Sequence, residues 1–231
     1  MSGLILRADI PDDDLMTNAG QSQPDFEKIL AIADPELGRL IAAVIARIGR
    51  QQIISSRTTP FEALVRAVVY QNISGNAAGA IFARLQLAVG KPFNPTRVLK
   101  MTERSISGVG LSKAKSQAIW NLAGWFAANR KIAKALPYLP DEDVVSALTG
   151  IAGIGTWTAN VFLIFNLGRI DVMPASDIGI RRGVQLTYKL NAIATPKQVR
   201  EKAGSWQPFR SIASVYLWKA VKLKLSARDL Q

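Results

Sequence analysis

The sequence predicts an all-α fold, and three observations carry that prediction. Apolar residues recur at helical spacing in segment after segment, helix starts are written as cap-plus-proline pairs, and no two alternating runs are joined by a hairpin turn. Asp34-Pro35 puts an N-cap before a proline at the first helical position, and Leu37, Leu40, Ile41, Val44, Ile45 and Ile48 supply the stripe behind it. Thr59-Pro60-Phe61-Glu62 reads as a capping box that opens a helix carrying Leu64, Val65, Val68 and Val69. Asn94-Pro95 and Thr195-Pro196 repeat the signal, and Asp141 is a candidate cap for the segment after it. Residues 144–148 read as a short apolar helix and 156–167 as a longer one. Residues 1–24 are polar, acidic and poorly patterned, and are expected to form a loose arm tied down by Leu4, Ile5 and Leu6.

The chain has 231 residues, with 29 Lys and Arg against 17 Asp and Glu, a net charge of +12, and neither histidine nor cysteine. Without cysteine there is no disulfide, iron–sulfur cluster or thiol nucleophile, and without either residue the usual zinc sites are gone. Without histidine there is no Ser-His-Asp triad and no imidazole base. The charge is divided unevenly. Residues 1–40 carry a net −5 and residues 41–231 a net +17. A strongly basic body calls for a polyanionic partner, nucleic acid first and an anionic membrane surface second; the plain alternative is a solvated basic face. Where nucleic acid is the partner, the acidic head is expected to lie off the side that meets it. No apolar run approaches the roughly 20 residues of a membrane-spanning helix, and the first residues lack a basic-then-apolar leader. A soluble intracellular protein is expected.

Two glycine pairs, Gly108-Val109-Gly110 and Gly153-Ile154-Gly155, each sit between helical patterns. The second lies in Thr149-Gly-Ile-Ala-Gly-Ile-Gly155, where glycines permit positive φ and close backbone approach. Ile151 and Ile154 are expected to point inward and staple the two helices. The second helix then starts with amides that no acidic side chain caps, which makes an anion site. A DNA phosphate is the anion a basic protein places there. The plain alternative is a tight αα-corner without a ligand.

The run Leu148-Thr-Gly-Ile-Ala-Gly-Ile-Gly-Thr-Trp-Thr-Ala-Asn160 resembles the helix-hairpin-helix of a DNA glycosylase superfamily. The likeness continues in Asp171-Val-Met-Pro174-Ala-Ser-Asp177-Ile-Gly-Ile-Arg-Arg-Gly183 and, upstream, in Pro60-Phe-Glu-Ala-Leu-Val-Arg-Ala-Val-Val-Tyr-Gln71-Asn-Ile-Ser74. Gly110-Leu-Ser-Lys-Ala-Lys115 and Trp206-Gln-Pro-Phe-Arg210 leading to Tyr216-Leu-Trp218 complete it. The branch it is most similar to is 3-methyladenine DNA glycosylase II, in a short form without the β-rich N-terminal lobe of longer members. The resemblance implies a two-lobed helical domain over 25–231, with lobe one at about 56–170 and lobe two combining 25–55 with 171–231. It also implies an active site in the cleft between the lobes.

By the same resemblance the protein excises alkylated purines, of the 3-methyladenine and 7-methylguanine class, from double-stranded DNA in base excision repair. Asp177 takes the catalytic position. Taken alone it is a carboxylate that either caps a helix or stands beside a sugar developing positive charge in an oxocarbenium-like transition state. Arg181 and Arg182 would favour its ionised form if they approach it. Asp171 is read as a loop or capping residue. The target base must leave the stack, and a cationic base stacks well on indole. The resemblance makes Trp218 and Trp157 the pocket aromatics, with Tyr70 and Tyr216 as weaker members, while Trp120, Trp125 and Trp206 are read as structural. Strand-nicking relatives carry a lysine where Trp157 stands, so a monofunctional hydrolase is implied. Asn72, with Ile73 beside it, takes the wedge position; Asn72 is small and polar for a wedge, and a helix C-cap is its alternative. Val161 replaces an aromatic found in some relatives. Phosphate contacts are implied at Gly153, Ile154, Gly155, Thr156 and Thr158, with Lys113 and Lys115 as basic helpers. A monovalent cation, Na+ or K+, on the carbonyls of Thr149, Ile151 and Ile154 is implied when DNA is bound; no other cofactor and no side-chain metal site is expected. The expected state is a monomer on double-stranded DNA with a flipped base and no membrane partner, cytoplasmic and nucleoid-associated in a bacterium or archaeon, nuclear in a eukaryote. The alternatives are a non-catalytic helix-hairpin-helix DNA binder and a glycosylase for deaminated or oxidised bases.

Overall fold

The computed structural model describes residues 25–230 apart from Ile54, Arg57 and Ser74; the arm at 1–24, with Leu4, Ile5 and Leu6, lies outside the described residues. Most of the α-helices among them follow a side-chain cap or a glycine turn. In chain order these are α1 (Phe26–Ala33), α2 (Pro35–Ile48), α3 (Pro60–Val69), α4 (Gly75–Val89), α5 (Pro95–Leu99), α6 (Glu103–Ser107) and α7 (Lys113–Ala128). Then come α8 (Arg130–Ala135), α9 (Asp141–Thr149), α10 (Thr156–Phe165), α11 (Ile178–Thr187), α12 (Pro196–Lys202) and α13 (Arg210–Lys222). The described residues form no β-strand, and no helix among them is long and apolar enough to cross a membrane. The fold is all-α.

Four of the five caps read from the sequence form. Asp34, Thr59, Asn94 and Thr195 accept the amides of Leu37, Glu62, Arg97 and Gln198 at 3.0, 3.3, 3.0 and 3.2 Å. The full capping box is at Thr195, where Gln198 Oε1 takes the Thr195 amide at 2.8 Å. At Thr59 only half the box forms, because the Glu62 carboxylate instead accepts Gln86 Nε2 at 2.7 Å. Pro140, and not Asp141, occupies the cap position of α9; Asp141 is the first helical residue and joins Glu142 and Asp143 at the positive end of the helix dipole. The α2 stripe is buried at Leu37, Leu40, Ile41 and Val44, but Ile48 is 43% exposed where the helix stops at Gly49.

The chain divides into two compact units. The middle unit is Ser56–Leu167; the terminal unit joins residues 25–55 to 168–230. The division falls after Leu167, short of the 170 read from the sequence, because the Ile170 carbonyl accepts the Ser211 amide at 3.0 Å and Ser211 Oγ accepts the Val172 amide at 2.9 Å. Those bonds tie the segment to α13. In the middle unit α3 is the core rod, with Leu64, Val65, Val68 and Val69 fully buried against α7 and α10. In the terminal unit α13 takes that part, buried from Ser211 through Trp218 and packed on α2 and α11.

Candidate active site

The hairpin of the middle unit is shaped by one glycine. Gly153 has φ 92°, and a Cβ built there would lie 2.5 Å from Ala118 Cβ and 3.1 Å from Ala118 Cα on α7. Only glycine meets both demands. Asn121 on α7 donates to the Ala152 carbonyl at 3.0 Å, docking the turn further. Ile151 and Ile154 are buried, and the Ile154 amide donates to the Ile151 carbonyl at 2.9 Å, one of the three carbonyls suggested for a cation. Gly155 is the N-cap of α10 and brings no side-chain bond, so the first-turn amides open the helix uncapped. Gly155 and Thr156 are exposed, while Trp157 is half-buried. The Thr158 side chain is 1% exposed and its hydroxyl accepts Gln71 Nε2 at 2.8 Å, so Thr158 has only its backbone to offer an anion.

The other glycine pair matches this one when both are aligned on the helix that follows. Gly110, with φ 101°, stands two places before Ser112, as Gly153 stands two places before Gly155. Leu111 and Ile154 are the buried residues between. The two turns differ at the cap. Ser112 Oγ accepts the Lys115 amide at 3.3 Å, so α7 is capped by its own chain where α10 is not. Lys113 is exposed at the start of α7. Lys115, expected at a phosphate, is placed otherwise: its Nζ donates to the Val69 carbonyl at 2.7 Å and holds the C-terminal end of α3.

That end of α3 carries the turn of Tyr70, Gln71, Asn72 and Ile73. Asn72 is exposed with φ 53°, the left-handed region that asparagine tolerates, and Ile73 is half-buried. Tyr70, not Asn72, is the C-cap of α3. Tyr70 is 4% exposed, with the Arg66 guanidinium 5.4 Å from its ring and its hydroxyl against the Gly79 position of α4. It is a core residue of this unit and lines no open surface. Gln71 and the self-capping Ser112 were missed as fixing points. A polar Gln closing the apolar run Val68-Val69-Tyr70, and a serine three places before Lys115, were their signals.

In the terminal unit, Asp177 is the N-cap of α11. Its Oδ1 accepts the Ile180 amide at 2.8 Å and Trp218 Nε1 at 2.8 Å. Asp177 itself is half-buried, whereas Trp218 is 2% exposed. Buried to that degree, Trp218 shows almost none of its ring to solvent. Tyr216 is corrected from its expected place in the pocket. It is fully buried, donates to Glu27 at 2.6 Å and accepts the Gln51 amide at 3.0 Å. Burial first, and the bond to Glu27 second, push its pKa above the ordinary tyrosine value, so the hydroxyl stays a donor. Tyr216 ties α1 to α13 and belongs to the core.

The neighbouring charges are structural too. Arg210 grips Asp171 in a two-pronged pair, Nε to Oδ1 at 2.7 Å and Nη2 to Oδ2 at 2.9 Å, at the start of α13. Arg181 Nε donates to the Ala194 carbonyl at 2.6 Å. Trp206 is fully buried and donates to Asp34 at 2.9 Å, beside the Tyr188 hydroxyl on the same carboxylate. Among the described residues no group of three or more carboxylates gathers to hold a metal ion.

A family model described as HhH-GPD superfamily base excision DNA repair protein matches residues 65–208. That span includes the hairpin and Asp177 and stops before α13. DNA-3-methyladenine glycosylase 1 of Schizosaccharomyces pombe is 35% identical over 172 residues, covering 71% of this chain and 73% of that protein. The solved structure of a 3-methyladenine DNA glycosylase of the same organism, in complex with abasic DNA, superposes with a TM-score of 0.75 at 30% identity, over 85% of this chain and 96% of that one. A DNA-3-methyladenine glycosidase from Bacillus halodurans gives a TM-score of 0.72 at 28% identity, over 90% and 95% of the two chains.

Proposed function

This chain belongs to the HhH-GPD superfamily of base excision DNA repair proteins, and we propose that it is a monofunctional glycosylase hydrolysing the N-glycosidic bond of alkylated purines in double-stranded DNA. The observation that carries the chemistry is Asp177, held at the head of α11 by the Ile180 amide and the Trp218 indole. In this reading the uncapped first turn of α10 supplies amides for a DNA phosphate, and the exposed Asn72 turn enters the stack when the lesion leaves it.

An alkylated purine carries positive charge while attached and departs as a neutral base. Cleavage of its bond to C1′ therefore needs little acid, and a chain without histidine suffices. Positive charge passes to the sugar as the bond breaks. The Asp177 carboxylate stabilises that oxocarbenium-like state and orients a water, which adds to C1′ and gives up a proton. Trp157 stands where a Schiff-base lysine would be needed, so the product is an abasic site in an intact strand. Trp157, half-buried beside the hairpin, is the aromatic proposed to meet the cationic base. The protein acts as a monomer on chromosomal DNA.

One incubation with methylated duplex DNA tests this. Wild-type protein releases 3-methyladenine and leaves strands that break only after alkali. The Asp177→Asn protein releases none. Release of oxidised or deaminated bases instead would move the substrate class; strand breaks before alkali would contradict the monofunctional assignment. Excision that persists in Asp177→Asn would remove Asp177 from the mechanism.

A further inference from the structure

Thr158 lies in the hairpin segment expected at a phosphate, and its backbone and side chain face different tasks. It is the third residue of α10, whose N-cap Gly155 brings no side-chain bond, so its amide is among those open to an anion. Its hydroxyl is buried and accepts Gln71 Nε2 at 2.8 Å, across 87 residues of sequence. Gln71 stands directly before Asn72, in the turn that follows α3. We infer that Thr158 is a positioning residue for excision: through Gln71, its hydroxyl holds the Asn72 turn in register with the helix end that takes the phosphate. This rests on the proposed reading of the α10 amides as the phosphate site and of the Asn72 turn as the element that enters the stack.

A buried hydroxyl in an apolar stretch costs free energy unless it is bonded. The other buried residues of α10 are Ala159, Val161, Phe162, Leu163 and Ile164, and valine would fill the Thr158 position about as well in volume. What valine lacks is the oxygen that anchors Gln71. The turn so anchored carries Asn72, exposed and left-handed at φ 53°. Lys115 secures the last turn of α3 from α7, through the Val69 carbonyl; Thr158 secures the stretch after it, from α10. The bond to α10 differs in consequence, because it ties the turn to the element that grips the strand. Phosphate contacts fix where along the duplex a protein stands. A side chain entering the stack has to meet one base step, so its distance from the phosphate grip decides which nucleotide is extruded. Unstacking a paired base costs free energy that a misplaced turn does not offset, whereas a mispaired base leaves the stack more readily.

The test separates the hydroxyl from the packing. Thr158→Val keeps the branched shape and removes the acceptor; Thr158→Ser returns the hydroxyl. Single-turnover release of 3-methyladenine is measured from two duplexes, one with the lesion normally paired and one with it opposite a mismatched base. Loss of one hydrogen bond predicts a rate about 3- to 10-fold lower for Thr158→Val on the paired lesion. On the mispaired lesion the rate stays within about twofold of the wild type. Affinity for undamaged duplex also stays within about twofold, since the amides are untouched. Thr158→Ser recovers most of the rate, and Thr158→Val has no further effect in a Gln71→Leu background, because Thr158 acts through Gln71. The two rates are compared within each protein, so a misfolded fraction cancels. Equal loss on both duplexes overturns the inference, as does no loss on either, no recovery in Thr158→Ser, or losses that multiply with Gln71→Leu. Fluorescence of 2-aminopurine beside an abasic analogue reads entry of the turn without chemistry: it rises on binding the wild type and rises less with Thr158→Val. Equal rises overturn the inference. If the wild type frees no alkylated purine from either duplex, the proposed reaction fails, while the fluorescence comparison still decides the role of Thr158.

Discussion

Asp177 holds one of the two positions that the sequence presents as alternatives, and the proposed reaction gives it the other. It caps α11, and it is the carboxylate that the proposed reaction requires. The two roles separate by substitution. Asparagine caps a helix as well as aspartate does, so Asp177→Asn should melt within a degree or two of the wild type while losing excision. Asp177→Ala loses the cap too and should cost about 1 kcal/mol in chemical denaturation. A large destabilisation in Asp177→Asn would mean that the activity loss reports folding. Asp177 was legible in the sequence because acidic residues are scarce around it. The fate of Tyr216 was not, because the group that consumes it lies 189 residues away. A tyrosine in a glycosylase-like pattern reads as a pocket residue until its partner is known.

At the scale of elements, local chemistry is what the sequence carries best. A side-chain oxygen followed by proline marks four helix starts correctly, since the bond to the third amide needs only neighbours. The glycine hairpin was legible for the same reason, but its docking on α7 was not. Gly153→Ala should therefore be costly in two ways, by its positive φ and by collision with Ala118. An expected loss of roughly 1–3 kcal/mol follows, of which Ala118→Gly in the same chain should restore much of the steric part, since the contact with the Ala118 Cα stays, and not the conformational part. Gly155 has negative φ and nothing near a built Cβ, so Gly155→Ala should leave the fold much less affected. Urea titrations of the three variants and the wild type measure this. Equal losses at 153 and 155 would contradict the division of labour within the turn.

For the molecule as a whole, the charge division sets how DNA is held. A net +17 over residues 41–231 is a sequence-level fact, and it says only that a polyanion is attracted. The structure decides which cations are placed to contribute. Lys113 is exposed beside a capped helix start, whereas Lys115 spends its ammonium on the Val69 carbonyl. Binding to duplex DNA should weaken steeply with salt, log K falling linearly with log salt by about 0.9 per phosphate neutralised. Lys113→Ala should reduce that slope by about one contact. Lys115→Ala should leave the slope unchanged and instead loosen the turn that carries Asn72, lowering excision with little loss of non-specific affinity. Fluorescence anisotropy with undamaged duplex across a salt series gives both slopes. If Lys115→Ala flattens the line as much as Lys113→Ala does, then Lys115 turns to phosphate when DNA arrives, and its bond to Val69 belongs to the unbound protein alone.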